Sequence, residues 1–445
     1  MDISPRPSIR RARRAFLAAT SAVALTAGLA GPATAQSADP QPSAPAPAAD
    51  FYDTRDVAVG APGEVLRSEP TTLPLAVTLP GLPELPSPLP ARAHRLMYST
   101  LDVHDRPVAT TGALFDSTAP WTGPGPRPLI VIGPGTQGQG DACAPSRTIE
   151  TGVGVNPYSG GPTPNYEELF ALALASQGYR VMVVDYIGLG TPGIHTYSDR
   201  VEQAHAMLDG ARAAGAMVGD PAAPVITWGH SQGGGASAAA AELAPEYAPD
   251  VSLRGAYTSA PPADLHAVLD HIDGSTLTGA IGYAINGMLD RYPSLAGVID
   301  RQLSERGRAA LADVENLCTL DLRSRYGGHT TEEWTTSGER LGELIRSEPD
   351  ALAILDHQRI GNRAPTVPVL LAGGINDDII PLGQVEQLGR DWCAQGVAVD
   401  FHHETTIPIT GVTHAAAAVT NFPLALRFVT DRLAGVPPVN DCGTF

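Results

Sequence analysis

Gly229-His230-Ser231-Gln232-Gly233-Gly234-Gly235 sits between an apolar run, Pro224-Val225-Ile226-Thr227-Trp228, and an alanine-rich run from Ala236 to Leu243 that includes Ser237 and Glu242. The first run reads as a buried strand, the glycine-rich heptad as a tight turn and the second run as a helix. This is the G-x-S-x-G nucleophile elbow in the strand-turn-helix setting the motif needs. The residues flanking the serine must be small, because strand and helix backbones converge there and a Cβ at Gly229 or Gly233 would clash. Such a turn lifts Ser231 Oγ above the sheet and points a helix N-terminus, with its free N–H groups, at any oxyanion forming there. A chance Gly-rich turn is the bland alternative, and the strand and helix on either side weigh against it.

Beyond the elbow, Leu129-Ile130-Val131-Ile132 and Tyr179 to Tyr186 read as further buried strands, each closed by glycines, and Val251 to Ser259 as another. Tyr166–Gln177 and Ser198–Met217 have helical spacing, with Ser198 a fitting N-cap. Arg95–Phe115, alternating about His104-Asp105-Arg106-Pro107, predicts a β-hairpin. Strands alternating with helices predict an α/β fold, a doubly wound, mostly parallel sheet. The alternation stops between Pro261 and Arg363, where Ala267–Met288, Leu311–Leu322 and Glu332–Leu355 read as helices with no strand between. A segment this long is an inserted helical cap rather than a loop. The strands resume at Pro368–Ala372 and Val397–Thr405, and a last helix is expected over about Ala415–Leu433. The expected organisation is a signal segment over 1–35, a Pro/Ala-rich linker over 36–50, a core from 51–260 and 364–445, and the cap over 261–363. Phe51–Pro90, rich in proline, is expected to wrap the surface without regular structure.

The chain has 445 residues, a formal net charge of −18 and no lysine. Residues 1–35 hold five arginines and one aspartate, so the rest is more acidic still. Such a body is a poor match to nucleic acid or an anionic membrane surface. Arg10-Arg11 and Arg13-Arg14, the apolar Phe16–Leu29 and the small residues of Ala33-Thr34-Ala35 form an export signal, with Arg13-Arg14-Ala15-Phe16-Leu17 fitting the twin-arginine type. Cleavage after Ala35 would release a secreted protein with no membrane anchor. Cys143, Cys318, Cys393 and Cys442 suit two disulfides in an exported chain, and three pairings are open. No C-x-x-C pair suggests a metal or redox site.

A serine nucleophile needs a base, and the base an orienting acid. In this architecture the acid follows the strand after the cap, at Gly373-Gly374-Ile375-Asn376-Asp377-Asp378-Ile379-Ile380. Asp377, first in the turn, is the expected orienter, with Asp378 a turn or capping residue and Ile379 and Ile380 anchoring the loop. The base belongs in the loop before the last helix, and His414 in Gly411-Val412-Thr413-His414 is the candidate. His402 and His403 fall inside a strand, one facing inward and one outward, and His230 reads as a packing residue. One oxyanion donor is expected from the N–H of Gln232; the other should come from Gly133-Pro134-Gly135-Thr136-Gln137-Gly138, with Gln137 preferred and Thr136 second. Neither glycine cluster has the spacing of a dinucleotide fingerprint or of a phosphate-binding loop.

Taken with the elbow, five further stretches resemble the secretory lipase family of α/β-hydrolases from about Phe51 to Cys442: Gly135-Thr136-Gln137-Gly138 leading into Cys143-Ala144-Pro145-Ser146, Asp185-Tyr186-Ile187-Gly188-Leu189-Gly190, Ala260-Pro261-Pro262-Ala263-Asp264-Leu265, and the Asp377 and His414 loops. The resemblance implies an α/β-hydrolase fold with a triad of Ser231, Asp377 and His414. It also implies disulfides Cys143–Cys318 and Cys393–Cys442, a helical cap over an acyl tunnel, and hydrolysis of carboxylic esters, commonly acylglycerols. Fungal members place an aspartate in the oxyanion loop, where this chain has Gln137-Gly138. The expectation is therefore a secreted, cofactor-free and metal-free serine ester hydrolase, working as a monomer on a lipid or small ester. Within the class, a short-chain carboxylesterase or polyesterase is the runner-up. The cap decides between them, and its run Leu277–Ile285 is apolar enough to line an acyl site, although buried packing would look the same. A serine peptidase ranks low, since no acidic pair stands out to hold an amine. A non-catalytic binding protein on the same scaffold would stay unlabelled by a fluorophosphonate.

Overall fold

The computed structural model describes residues 50–73 and 89–445. The expected signal segment and nearly all of the linker lie outside the described residues. Nine strands form one sheet: β1 (Val65–Thr71), β2 (Ala91–Leu101), β3 (Pro107–Ser117), β4 (Leu129–Gly133), β5 (Arg180–Val184), β6 (Val225–His230), β7 (Leu253–Ser259), β8 (Val369–Gly374) and β9 (Val399–Glu404). Their order is β1-β2-β3-β5-β4-β6-β7-β8-β9. The pairings from β1 through β3 to β5 are antiparallel, and all those from β5 to β9 are parallel. The central strands β4, β6 and β8 are buried almost throughout, as a sheet covered on both faces requires.

The longer helices are α1 (Tyr166–Ser176), α2 (Arg200–Met217), α3 (Gln232–Tyr247), α4 (Leu265–Ile272), α5 (Ala280–Arg291), α6 (Glu305–Val314), α7 (Thr319–Tyr326), α8 (Pro349–His357), α9 (Leu382–Ala394), α10 (Thr413–Thr420) and α11 (Phe422–Leu433), with shorter helical turns between some of them. Alternate residues of the strands pack against opposite layers. Val131, Val225, Ala256 and Leu371 meet Met207, Ala236 and Trp392 of α2, α3 and α9. Ile130, Ile226, Trp228 and Leu370 meet Phe170 and Phe422 of α1 and α11 on the other face. This is the doubly wound α/β sheet expected, with only helices between β7 and β8.

Several boundaries differ from the sequence reading, each for a local reason. Residues 51–90 are not free of regular structure: Val65–Thr71 adds β1 to the sheet edge, where Pro70 is tolerated because an edge strand has a side with no ladder to complete. Ser198, at φ +65°, is not the cap of α2; Asp199 is, accepting from the N–H groups of Val201 and Glu202. The helix expected over Ala267–Met288 is two, broken at Asp273-Gly274, where Gly274 takes φ +104°. Leu311–Leu322 breaks at Cys318, held extended at φ −92° and ψ 165° by its disulfide partner and by a bridge to Gly138. Glu332–Leu355 is two short helical turns followed by most of α8, and the last helix is interrupted at Asn421 because Pro423 starts α11 afresh. Periodicity alone does not show the breaks at Gly274 and Cys318, which rest on a single backbone conformation and on contacts made far along the chain, whereas Pro423 is a local signal.

Candidate active site

The elbow forms because the sequence leaves no room for anything but glycine around the serine. A Cβ on Gly229 would lie 1.9 Å from the Gly233 carbonyl oxygen, and one on Gly233 would lie 1.9 Å from the Gly133 carbonyl oxygen. Ser231 itself is held at φ 60° and ψ −126°, a strained backbone for a residue with a side chain. It is the N-cap residue of α3 with no side-chain capping bond, so its hydroxyl is not spent on the helix.

The carboxyl ends of β6, β8 and β9 bring three predicted residues together, in the crevice where open α/β sheets bind ligands. Ser231 Oγ lies 2.8 Å from His414 Nε2, and His414 Nδ1 lies 2.8 Å from Asp377 Oδ2. A carboxylate only accepts, so Nδ1 carries the ring proton and Nε2 is left to accept from the serine hydroxyl. Asp377 Oδ1 also accepts the N–H groups of Ile379 and Ile380, at 2.9 and 2.8 Å. Burial opposes ionisation of Asp377, but the adjacent His414 ring and these N–H donors outweigh it and hold the carboxyl below its ordinary value. Asp378 takes the capping role: it accepts from the backbone N–H of His414 at 3.0 Å and of Gly411 at 2.5 Å, fixing the histidine loop and the first turn of α10. Such an array can pass a proton from a hydroxyl to an imidazole and hold the resulting positive charge.

His230 packs beside His414, ring centroids 4.6 Å apart, and its Nδ1 pairs with Ser259 Oγ at 2.9 Å. Burial and the neighbouring His414 push its pKa down to about 3, so it stays neutral. His402 is half-buried, and His403 is exposed and pairs with Glu386 at 3.1 Å.

Gln137 and Thr136 both line the cavity over Ser231. Gln137 is buried, its carbonyl accepts the Thr319 N–H at 2.9 Å, and its side-chain amide nitrogen has no partner among the described residues. Cys143 is joined to Cys318 and Cys393 to Cys442, the pairing the resemblance implied; the first bridge ties the loop after β4 to the start of α7.

The cavity is about 340 Å³. Phe170, Trp228, Tyr257, Ala418 and Val419 form an apolar wall, and Thr276, Leu277, Leu320 and Arg323 close it from the helical segment. Of the apolar run Leu277–Ile285, only Leu277 reaches the cavity; Ile281 and Tyr283 are core packing, so that run is mostly structural. Two contributors were not singled out from the sequence. Glu167, a first-turn acid of α1, lines the cavity and accepts the Gly135 N–H at 2.7 Å; burial raises its pKa to about 7. Arg323 lines the mouth and donates to the Gly411 carbonyl at 2.5 Å. Nothing local in the sequence marks either, because both act on backbone groups far away in the chain.

Strand order, elbow and site define the chain as an α/β-hydrolase. The model of the secretory lipase family matches residues 160–441. The chain belongs to that family and is a carboxylic ester hydrolase. It is 29% identical over 380 residues to a protein of Mycobacterium tuberculosis named "probable inactive lipase", a match covering 84% of this chain and 79% of that one. It is 26% identical over 364 residues to a secreted triacylglycerol lipase of Malassezia globosa, covering 79% of this chain and 72% of the relative. Among solved structures it is similar in fold to Candida antarctica lipase A in its closed state, with a TM-score of 0.71 at 20% identity, over 86% of this chain and 85% of that one.

Proposed function

We propose that this hydrolase cleaves carboxylic esters, acylglycerols among them, through an acyl-enzyme formed on Ser231. The observation that carries the reading is the unbroken relay from Ser231 through His414 to Asp377, with 2.8 Å at each step, on the wall of an apolar cavity. Ser231 Oγ attacks the ester carbonyl while His414 Nε2 takes its proton. Asp377 keeps the ring in the required tautomer and stabilises the imidazolium. The N–H of Gln232, at the start of α3, and a donor from the Gln137 loop stabilise the tetrahedral oxyanion. His414 then protonates the leaving alcohol, and water, activated by the same ring, releases the acid. No step calls for a metal or an organic cofactor.

The helical segment over 261–363 is read as a cap on the acyl cavity, with 51–260 and 364–445 as the core. The reading includes export, supported by the signal pattern over 1–35, by the two disulfides and by the relative named as secreted. Among the described residues no helix is long and apolar enough to cross a membrane.

The test is the rate on p-nitrophenyl esters from acetate to palmitate, with Ser231→Ala as the blank. Turnover that persists at long chains and vanishes in the variant supports a lipase. Collapse beyond butyrate replaces it with a short-chain carboxylesterase, and no Ser231-dependent rate at any length overturns the reading.

A further inference from the structure

His195 lies outside the relay, yet it meets both loops that would face an oxyanion. Its Nε2 is 3.0 Å from the side-chain amide nitrogen Nε2 of Gln232, the residue after Ser231. Its Nδ1 is 3.2 Å from the Ile187 carbonyl oxygen. An amide nitrogen only donates and a carbonyl only accepts, so the two contacts select one tautomer: Nδ1–H donates to Ile187 and the Nε2 lone pair accepts from Gln232. An imidazolium could not accept that bond. His195 is completely buried, and burial pushes its pKa down to about 4, so the neutral ring persists through the neutral range.

The ring is clamped as well as bonded. It stacks on Tyr186 at 5.8 Å between centroids and meets Tyr197 edge-on at 6.0 Å. Tyr197 pairs through its hydroxyl with Thr136 Oγ1 at 2.7 Å, in the loop after β4. The His195 carbonyl accepts from Gln139 Nε2 at 3.0 Å, and the same amide donates to the Tyr283 carbonyl of α5 at 2.9 Å. Asn286, also of α5, donates to Gln139 Oε1 at 2.9 Å. One buried histidine therefore joins the turn after Ser231, the loop holding Gln137, and a helix of the segment between β7 and β8.

We propose that His195 is a positioning residue: through its Nε2 lone pair it fixes Gln232, and so aims the Gln232 N–H at the developing oxyanion. The inference rests on the serine-hydrolase reading above. A donor must lie close to where the oxyanion will be, not merely near the substrate, so a small drift of the turn lowers kcat more than it changes binding.

The two ring nitrogens allow a test that stability alone does not mimic. Glutamine can place an acceptor near the position of Nε2, whereas asparagine can keep only the donor near Nδ1. His195→Gln should retain kcat within about 5-fold, and His195→Asn should lower it by roughly 10- to 100-fold with KM little changed, a part of what removing a whole oxyanion donor costs. Gln232→Leu should match the asparagine variant, and the double variant His195→Asn/Gln232→Leu should be no slower than either single one, since both cut the same bond. Thermal unfolding midpoints of all four are measured alongside. If kcat follows the unfolding midpoint rather than the identity of the retained nitrogen, or if the double variant is multiplicatively slower, the proposal is overturned. Should His195→Asn not fold, Gln232→Leu with unchanged kcat overturns it alone. Fluorophosphonate labelling of Ser231 in every variant separates the two readings. Loss of labelling in the parent chain defeats the serine-hydrolase assignment, whereas labelling without the isostere pattern defeats only the role of His195.

Discussion

Adjacent aspartates after β8 differ in what they touch, and this difference decides their roles. Asp377 faces the His414 ring and takes two N–H groups of its own turn; Asp378 takes only backbone N–H groups of the histidine loop. Asp377→Asn keeps the shape but offers His414 Nδ1 an amide in place of a carboxylate, favouring the wrong tautomer. It should lower kcat by about 10³- to 10⁴-fold with the fold intact. Asp378→Asn should cost about 1 kcal/mol of stability, the scale of a lost cap, and less than about 10-fold in kcat. Steady-state kinetics and denaturant unfolding of the pair decide it; a larger kcat loss in the Asp378 variant would exchange the two roles. Linkage gives Asp377 a second signature. Its folded pKa is held below the ordinary 3.8, so the stability it contributes is present above that value and is lost as pH falls further.

Glycine spacing makes the elbow an element rather than a lone serine. The strand β6, the turn and helix α3 approach so closely that Gly233 shares its space with the Gly133 carbonyl and Gly234 with the Ser259 carbonyl. Gly233→Ala should therefore destabilise the chain by about 3 kcal/mol, visible as a lower denaturant midpoint, because backbone on both sides must move. An unchanged midpoint would mean that the packing has slack the geometry does not show. The same closeness explains what the sequence made legible. Buried strands and the elbow are local patterns, and the order Ser231, Asp377, His414 follows from where strands end, so the sheet apart from its edge strand β1 and the candidate triad could be read in advance. The helices between β7 and β8 were legible only as helices. Their ends depend on Gly274 taking a positive φ and on Cys318 standing extended where it bonds Cys143, and neither is a periodic signal. Gln139, His195 and Arg323 escaped for a related reason: each bonds a partner more than 30 positions away.

Across the whole molecule, segments that follow the strand ends carry Ser231, Asp377 and His414, and the helical segment closes the cavity beside them. The Cys143–Cys318 disulfide, the Thr319 N–H on Gln137 and the Arg323 contact to Gly411 bind that segment to the two loops nearest Ser231. Among the residues lining the cavity, Glu167, Asp378 and Arg323 carry the side chains able to hold a full charge besides the histidines, and the rest of the wall is mostly apolar. The proposed role of Ser231 as a nucleophile activated by His414 and Asp377 is open to a direct chemical test. The most direct measurement is reaction of the folded protein with a fluorophosphonate, followed by peptide mass spectrometry of the adduct. One adduct is expected, on Ser231, absent from Ser231→Ala and strongly slowed in Asp377→Asn. No adduct, or an adduct on another residue while Ser231 stays free, would contradict it.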